Sequence, residues 1–167
     1  MSSKDTAKEN RELAYRLSNN LARLLKEFAR DFEARVHAII NERGHPDIRP
    51  SHSAVFSNLG MGAVRVTELA ERARVTQQAM GKMLKELERM GYIQRGVDDA
   101  DKRAKEIRLT EKGVQLVADS MVAIQEVKEL YAKKVGIDDL NRLEDGLRDV
   151  VRRLDLEYLP ESWTDGQ

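Results

Sequence analysis

The stretch RVTELAERARVTQQAMGKMLKELERMGYIQRGVDDADKRAKEIRL, residues 65–109, decides the fold. TELAERA and QQAMGKMLKELERM space their apolar residues three and four apart, which lines one face of a helix. YIQR and EIRL are short segments with aromatic and β-branched residues, and they flank a charged loop as the strands of a hairpin do. Two helices joined by Arg74 and Val75, then a hairpin, form a helix-turn-helix with a β-wing. Thr67 and Thr76 stand where N-caps are needed, and Val75 with Met80 has the spacing of a hydrophobic staple. In the second helix Met80, Met83, Leu84, Leu87 and Met90 form the inward stripe. Gln77, Gln78, Gly81, Lys82 and Lys85 face the other way.

Outward from this stretch the chain is helical. Thr6 to Arg43 contains no Pro or Gly, and Leu13, Leu17, Leu21, Leu24, Phe28, Phe32, Val36 and Ile39 or Ile40 recur at helical spacing. One helix of that length would span roughly 57 Å at 1.5 Å per residue, more than a small domain covers, so part of the stripe is expected to meet a second chain. GHPDIRP breaks the pattern, and a short helix over about 50–59 and a brief strand from Val64 to Val66 follow. Thr110 and Asp138 are expected to cap two closing helices, about 110–135 and 138–158, with Val114, Val117, Met121, Ile124, Val127 and Tyr131 as the stripe of the first. Leu140, Leu143, Leu147, Val150 or Val151, and Leu154 are expected to face inward on the second. The predicted fold is mainly α with a small β-wing: a winged helix-turn-helix at 48–113, a helical dimerisation region at 6–45 and 114–159, and flexible tails at 1–5 and 160–167. Leu13, Leu17, Leu21, Tyr131, Leu147, Val151 and Leu154 are the expected dimer contacts.

Composition narrows the function classes. The 167 residues include no cysteine, which excludes disulfides, thiol redox chemistry and zinc–thiolate sites. His37, His45 and His52 lack metal-site spacing on one helix face, so no metal is expected. No apolar run approaches the roughly 20 residues of a membrane span, and the N-terminus lacks a signal-peptide core, so a cytoplasmic protein is expected. Net charge is zero, but its distribution is uneven. Residues 65–113 carry 12 Lys/Arg against 9 Asp/Glu, and residues 114–167 carry 7 against 12. The positive excess thus sits on the helix-turn-helix. No nucleophile elbow, phosphate-cradling glycine loop or paired-carboxylate site is present, so the chain does not read as an enzyme.

The exposed face of the second helix carries the chemistry of base reading. Glutamine can bond adenine N6 and N7 together, so Gln77 and Gln78 suit the major groove of double-stranded DNA, with Lys82 and Lys85 one and two turns on. Gly81 permits close approach at a helix-propensity cost of about 1 kcal/mol. Thr76 begins the same surface. In the loop, Lys102, Arg103 and Lys105 can reach a neighbouring minor groove, whose narrow width concentrates negative potential. Asp101 is placed to orient the Arg103 fork.

The order of these pieces resembles the multiple antibiotic resistance regulator (MarR) family of bacterial winged-helix regulators. The resemblance rests on ELERMGYIQR at 86–95, Asp101-Lys102-Arg103 and LTEKG at 109–113, and the flanking helices extend it over nearly the whole chain. It implies a homodimer with interlocked terminal helices that reads a pseudo-palindromic operator, and a repressor relieved by a small aromatic or phenolic effector. By position it puts Gln77, Gln78, Gly81 and Lys82 at base or phosphate contacts and Arg103 in the minor groove. Arg35, His37 and His52 are the candidate effector pocket; no cofactor is expected. Arg49 departs from the pattern, standing where similar proteins cap a helix with Ser or Thr. The competing reading is a winged-helix protein-interaction module that has lost DNA binding, with the zero net charge as its support.

Overall fold

A computed structural model describes residues 3–97 and 105–156. The chain divides into two compact units, Met1–Arg35 and Val36–Gln167.

The first unit holds α1 (Ser3–Ser18) and most of α2 (Leu21–Glu42). The single helix expected from Thr6 to Arg43 is therefore interrupted, at Asn19-Asn20. Asn20 explains the break. Its side-chain amide donates to the carbonyls of Leu17 and Arg16, at 2.9 and 3.0 Å, closing α1. Its side-chain oxygen accepts from the Arg23 N–H at 3.1 Å, opening α2. Asparagine competes for backbone groups in this way, which no count of apolar spacing detects. Leu13, Leu17, Leu21 and Leu24 are all more than half exposed.

In the second unit a single 3-10 turn (Pro50–His52) leads into α3 (Ser53–Leu59), then β1 (Val64–Arg65), α4 (Val66–Arg72) and α5 (Gln77–Arg89). β2 (Ile93–Val97) and β3 (Lys105–Leu109) follow, then α6 (Glu111–Val135) and α7 (Ile137–Arg153). The three strands are antiparallel in the order β1-β3-β2, with Val64 opposite Ile107 and Ile93 opposite Leu109. Leu59, Leu69, Met80, Leu84, Leu87, Ile93, Ile107 and Leu116 are buried in one core joining α3, α4, α5, the sheet and α6. Each such side chain contributes about 1.5–3 kcal/mol by leaving water.

Two expected caps are absent. α4 begins one residue before Thr67, with Arg65 at the cap, and α7 begins at Ile137 with Gly136 at the cap; neither cap residue makes a side-chain cap bond. α4 starts early because β1 is only two residues long and feeds directly into it. Thr76 and Thr110 do cap, accepting from Ala79 and Gly113 N–H, each at 3.1 Å.

Of the stripe expected on α6, Val127 is buried, Val117 and Tyr131 are half-buried, and the others are exposed in the single chain. Gly113, Leu116, Ala123 and Val127 are buried, whereas Val114, Met121 and Ile124 are exposed. The helix has two apolar faces, and the one nearest the sheet is set by Gly113, where a Cβ would meet the Tyr92 carbonyl oxygen at 2.2 Å. On α7 only Leu140 is buried; Leu143, Leu147, Val151 and Leu154 are exposed.

Gly113→Ala forces a methyl against that carbonyl and should cost about 1–3 kcal/mol in urea unfolding, as overpacking does. A loss within about 0.5 kcal/mol, the range of an ordinary surface change, would contradict so close an approach.

Candidate nucleic-acid interface

α5 presents its two faces as the sequence divides them. Met80, Leu84 and Leu87 are fully buried, with Met83 and Met90 partly so against the same core. Gln77, Gln78, Lys82 and Lys85 are exposed. Gln78, Lys82 and Lys85 recur at helical spacing, and Gly81 lies beside them with no atom within 4 Å of where a Cβ would stand. The protein has room for a side chain at Gly81, so its smallness serves no internal contact. Neither lysine has an ion-pair partner among the described residues.

The far end of α5 is gripped by the segment that follows the wing. Gly91, at φ 83°, reverses the chain into β2. Thr110 Oγ1 donates to the Gly91 carbonyl at 2.6 Å, and Lys112 Nζ donates to the Met90 carbonyl at 2.8 Å. The Thr110 N–H donates to the Tyr92 carbonyl at 3.1 Å. Lys112 also lies 4.3 Å above the Tyr92 ring. LTEKG is thus a bracket on the 90–92 junction: threonine and lysine supply donors to helix-end carbonyls, and Gly113 permits contact.

Tyr92 is 1% exposed and reaches further still. Its hydroxyl lies 2.9 Å from His45 Nδ1, and His45 Nε2 lies 2.9 Å from Asp119 Oδ2. A carboxylate only accepts, so Nε2 carries the proton, and in the neutral ring Nδ1 accepts from the tyrosine hydroxyl. Burial pushes the Tyr92 phenol above its usual 10.0, and the charge of Asp47 acts in the same direction, so the hydroxyl keeps its proton. The hydrogen bond from His45, followed by one from Gln115, holds the Asp119 carboxyl below its usual 3.8. Arg43 adds to this site, 3.8 Å from Asp119 and 2.5 Å from Glu126.

A second clasp holds the middle of α5. The Arg49 N–H donates to His52 Nδ1 at 3.0 Å, so the proton of His52 is on Nε2, 3.1 Å from Glu86 Oε2. The Arg49 guanidinium also bonds Glu86. The residue that departs from the expected Ser/Thr cap is therefore compensated: His52 takes the orphan N–H, and Arg49 reaches the reading helix. The His52 bond, then the Arg49 bond, lower the Glu86 carboxyl below its usual 4.5.

The remaining expected site residues are distributed unevenly. Asp101, Lys102 and Arg103 lie outside the described residues. Lys105 pairs with Val97 in the β2–β3 ladder. Arg95, on β2, has its Nε 3.2 Å from Glu88, joining the wing to the end of α5. Of the candidate effector residues, His52 is 1% exposed, and its ring nitrogens meet the Arg49 N–H and Glu86. Arg35 bonds Asp31 one turn earlier on α2, at 2.7 Å, and His37 is half-buried.

Comparison with known proteins agrees with this geometry. The model of the MarR family matches residues 47–104, from the Arg49 turn into the wing. The exopolysaccharide II synthesis transcriptional activator ExpG of Rhizobium meliloti (strain 1021) is 32% identical over 138 residues, covering 83% of this chain and 70% of ExpG. The chain belongs to the MarR family. It is a DNA-binding transcriptional regulator and not an enzyme. Solved structures of other MarR proteins share the fold. Apo MarR from E. coli aligns with a TM-score of 0.68 at 21% identity, over 80% of this chain and 97% of that one. A mutant of S. aureus MepR bound to an oligodeoxyribonucleotide aligns with a TM-score of 0.56 at 19% identity, over 81% and 99%. Among the described residues no helix is long and apolar enough to cross a membrane.

The two clasps have a pH signature. Glu86 and Asp119 have folded-state values below the ordinary 4.5 and 3.8, so each contributes stability that is complete above the ordinary value. That contribution is lost as the pH falls through the lowered folded value. Glu86→Gln should lower the urea midpoint at neutral pH and flatten its decline below pH 4.5. An acid limb as steep as the wild type's would show that Glu86 is not a stabilising partner.

Proposed function

We propose that this MarR protein acts as a homodimer on a pseudo-palindromic operator, with α5 in the major groove and the wing in the minor groove. The observation that carries the reading is the exposed face of α5. Two glutamines, a glycine with open space around it and two lysines without ion-pair partners among the described residues lie together there, opposite a buried apolar stripe. Glutamine supplies paired donor and acceptor for a base edge, and the lysines supply charge for phosphate. The exposed leucines of α1 and α2, and Leu147, Val151 and Leu154 of α7, support a second copy as the partner that covers them. Two copies would set half-site centres about 34–36 Å apart, one turn of the duplex. Asp101, Lys102, Arg103 and Lys105 remain the wing residues of this reading.

The direction of regulation has two readings. The sequence favours a repressor released by a small aromatic or phenolic effector, with Arg35, His37 and His52 as candidate contacts. The naming of ExpG as an activator favours activation instead. Transcription in vitro decides between them: repression lowers transcript from the cognate promoter and activation raises it. The interaction-module alternative loses ground because the zero net charge conceals a positive excess over 65–113.

Sites selected from random duplex by the wild-type protein should be two-fold symmetric. Gln78→Ala should weaken the selected site by about 1–3 kcal/mol, the worth of one bidentate base contact, and relax the preference at one position per half-site. Lys85→Ala should instead weaken all sequences alike and reduce the salt slope by about 1. Equal losses on all sequences for Gln78→Ala would remove base reading from that residue.

A further inference from the structure

The same hydrogen-bonded turn closes four helices among the described residues. At the end of α2, Gly44 N–H bonds the Asn41 carbonyl and His45 N–H the Ile40 carbonyl. At α5, Gly91 bonds Glu88 and Tyr92 bonds Leu87 in the same pattern, and at α7 Asp155 bonds Arg152 and Leu156 bonds Val151. At α4, Arg74 bonds Glu71 and Val75 bonds Ala70, each at 3.1 Å. This closure places its first residue in the left-handed region, and φ is 106° at Gly44, 83° at Gly91, 52° at Asp155 and 53° at Arg74. Glycine enters that region freely and aspartate tolerates it, whereas a long unbranched side chain does not favour it. Only the α4 closure carries such a side chain.

Nothing inside the fold rewards the arginine. Arg74 is exposed, and among the described residues its guanidinium has no ion-pair or hydrogen-bond partner. Its neighbour Val75 packs against the core, and Thr76 caps α5, so the backbone at Arg74 is held from the following side. The guanidinium is thereby attached to a rigid turn, three residues ahead of Gln77. The first turn of α5 carries no carboxylate to neutralise it.

We propose that Arg74 is a phosphate-clamping residue, binding the DNA backbone beside the major groove that α5 enters and fixing the register of Gln77 and Gln78. This rests on the DNA reading above and names a contact outside the recognition helix and the wing. Arginine in place of glycine sacrifices some folding stability for a cation at a fixed position. The glycine variant must therefore move stability and DNA binding in opposite directions, which a purely structural residue would not do.

The test measures anisotropy of the full-length protein on random-sequence duplex across a salt series, beside thermal unfolding. Arg74→Gly should melt about 2–4 °C higher, as relief of one strained residue in a chain of this size predicts. It should bind duplex about 5–10-fold more weakly at physiological salt, with a salt slope shallower by about 1. Arg74→Lys should keep the slope. An Arg74→Gly protein that melts lower overturns the proposal, because the arginine is then held by the fold. So does a glycine variant with the wild-type slope, or a lysine variant that loses it. Absence of salt-dependent duplex binding by the wild type overturns the DNA reading itself, a result distinct from any of these.

Discussion

The hydroxyl of Tyr92 and the carbonyl of the same residue constrain three separate parts of the chain at once. The carbonyl accepts from Thr110 and lies against Gly113, at the start of α6. The hydroxyl meets His45, which reaches Asp119 farther along α6. The N–H closes α5 by bonding Leu87. A buried hydroxyl without a partner costs about 1–3 kcal/mol, so the chain has reason to bring His45 to it across 47 residues. Tyr92 thus ties the end of α5 and the start of β2 to both α6 and the turn after α2.

Glu86 does for the middle of α5 what Tyr92 does for its end. It receives His52 and Arg49 from the segment before α3, so the reading helix is held on its inner side by a carboxylate and at its C-terminus by LTEKG. The outer side is left without comparable ties: among the described residues, Gln77, Gln78, Lys82 and Lys85 have no side-chain hydrogen bond or ion pair. Rigidity behind and freedom in front is what a preorganised binding surface requires. Both buried histidines carry the proton on Nε2, toward a carboxylate.

How much of this was legible in the sequence depended on the range of the interaction. The faces of α5 and the caps at Thr76 and Thr110 are set by residues three or four apart, and they lie where the spacing puts them. The break at Asn20 was local but was carried by a polar side chain within an apolar period, so the stripe ran through it. The inner face of α6 was hidden differently: both faces of that helix are apolar, and the choice of the one turned to the core belongs to Gly113 and the Tyr92 carbonyl, 21 residues apart in sequence. His45, Asp119, His52 and Glu86 gave no sign of pairing, since their partners are 34 or more residues distant. LTEKG was visible as a family mark but not as a bracket. The wing tip was legible as chemistry, and Asp101 and Arg103 lie outside the described residues.

Tyr92→Phe tests the junction most directly, because it removes one oxygen and leaves the ring against Phe56 and Lys112. Hydrogen exchange followed amide by amide is the measurement. If the junction is one cooperative unit, protection falls together at 45–48, at the end of α5 and in β2, global stability drops by about 1–2 kcal/mol, and affinity for duplex DNA falls with it. Faster exchange confined to the His45 turn, with α5, β2 and DNA affinity unchanged, would contradict the account.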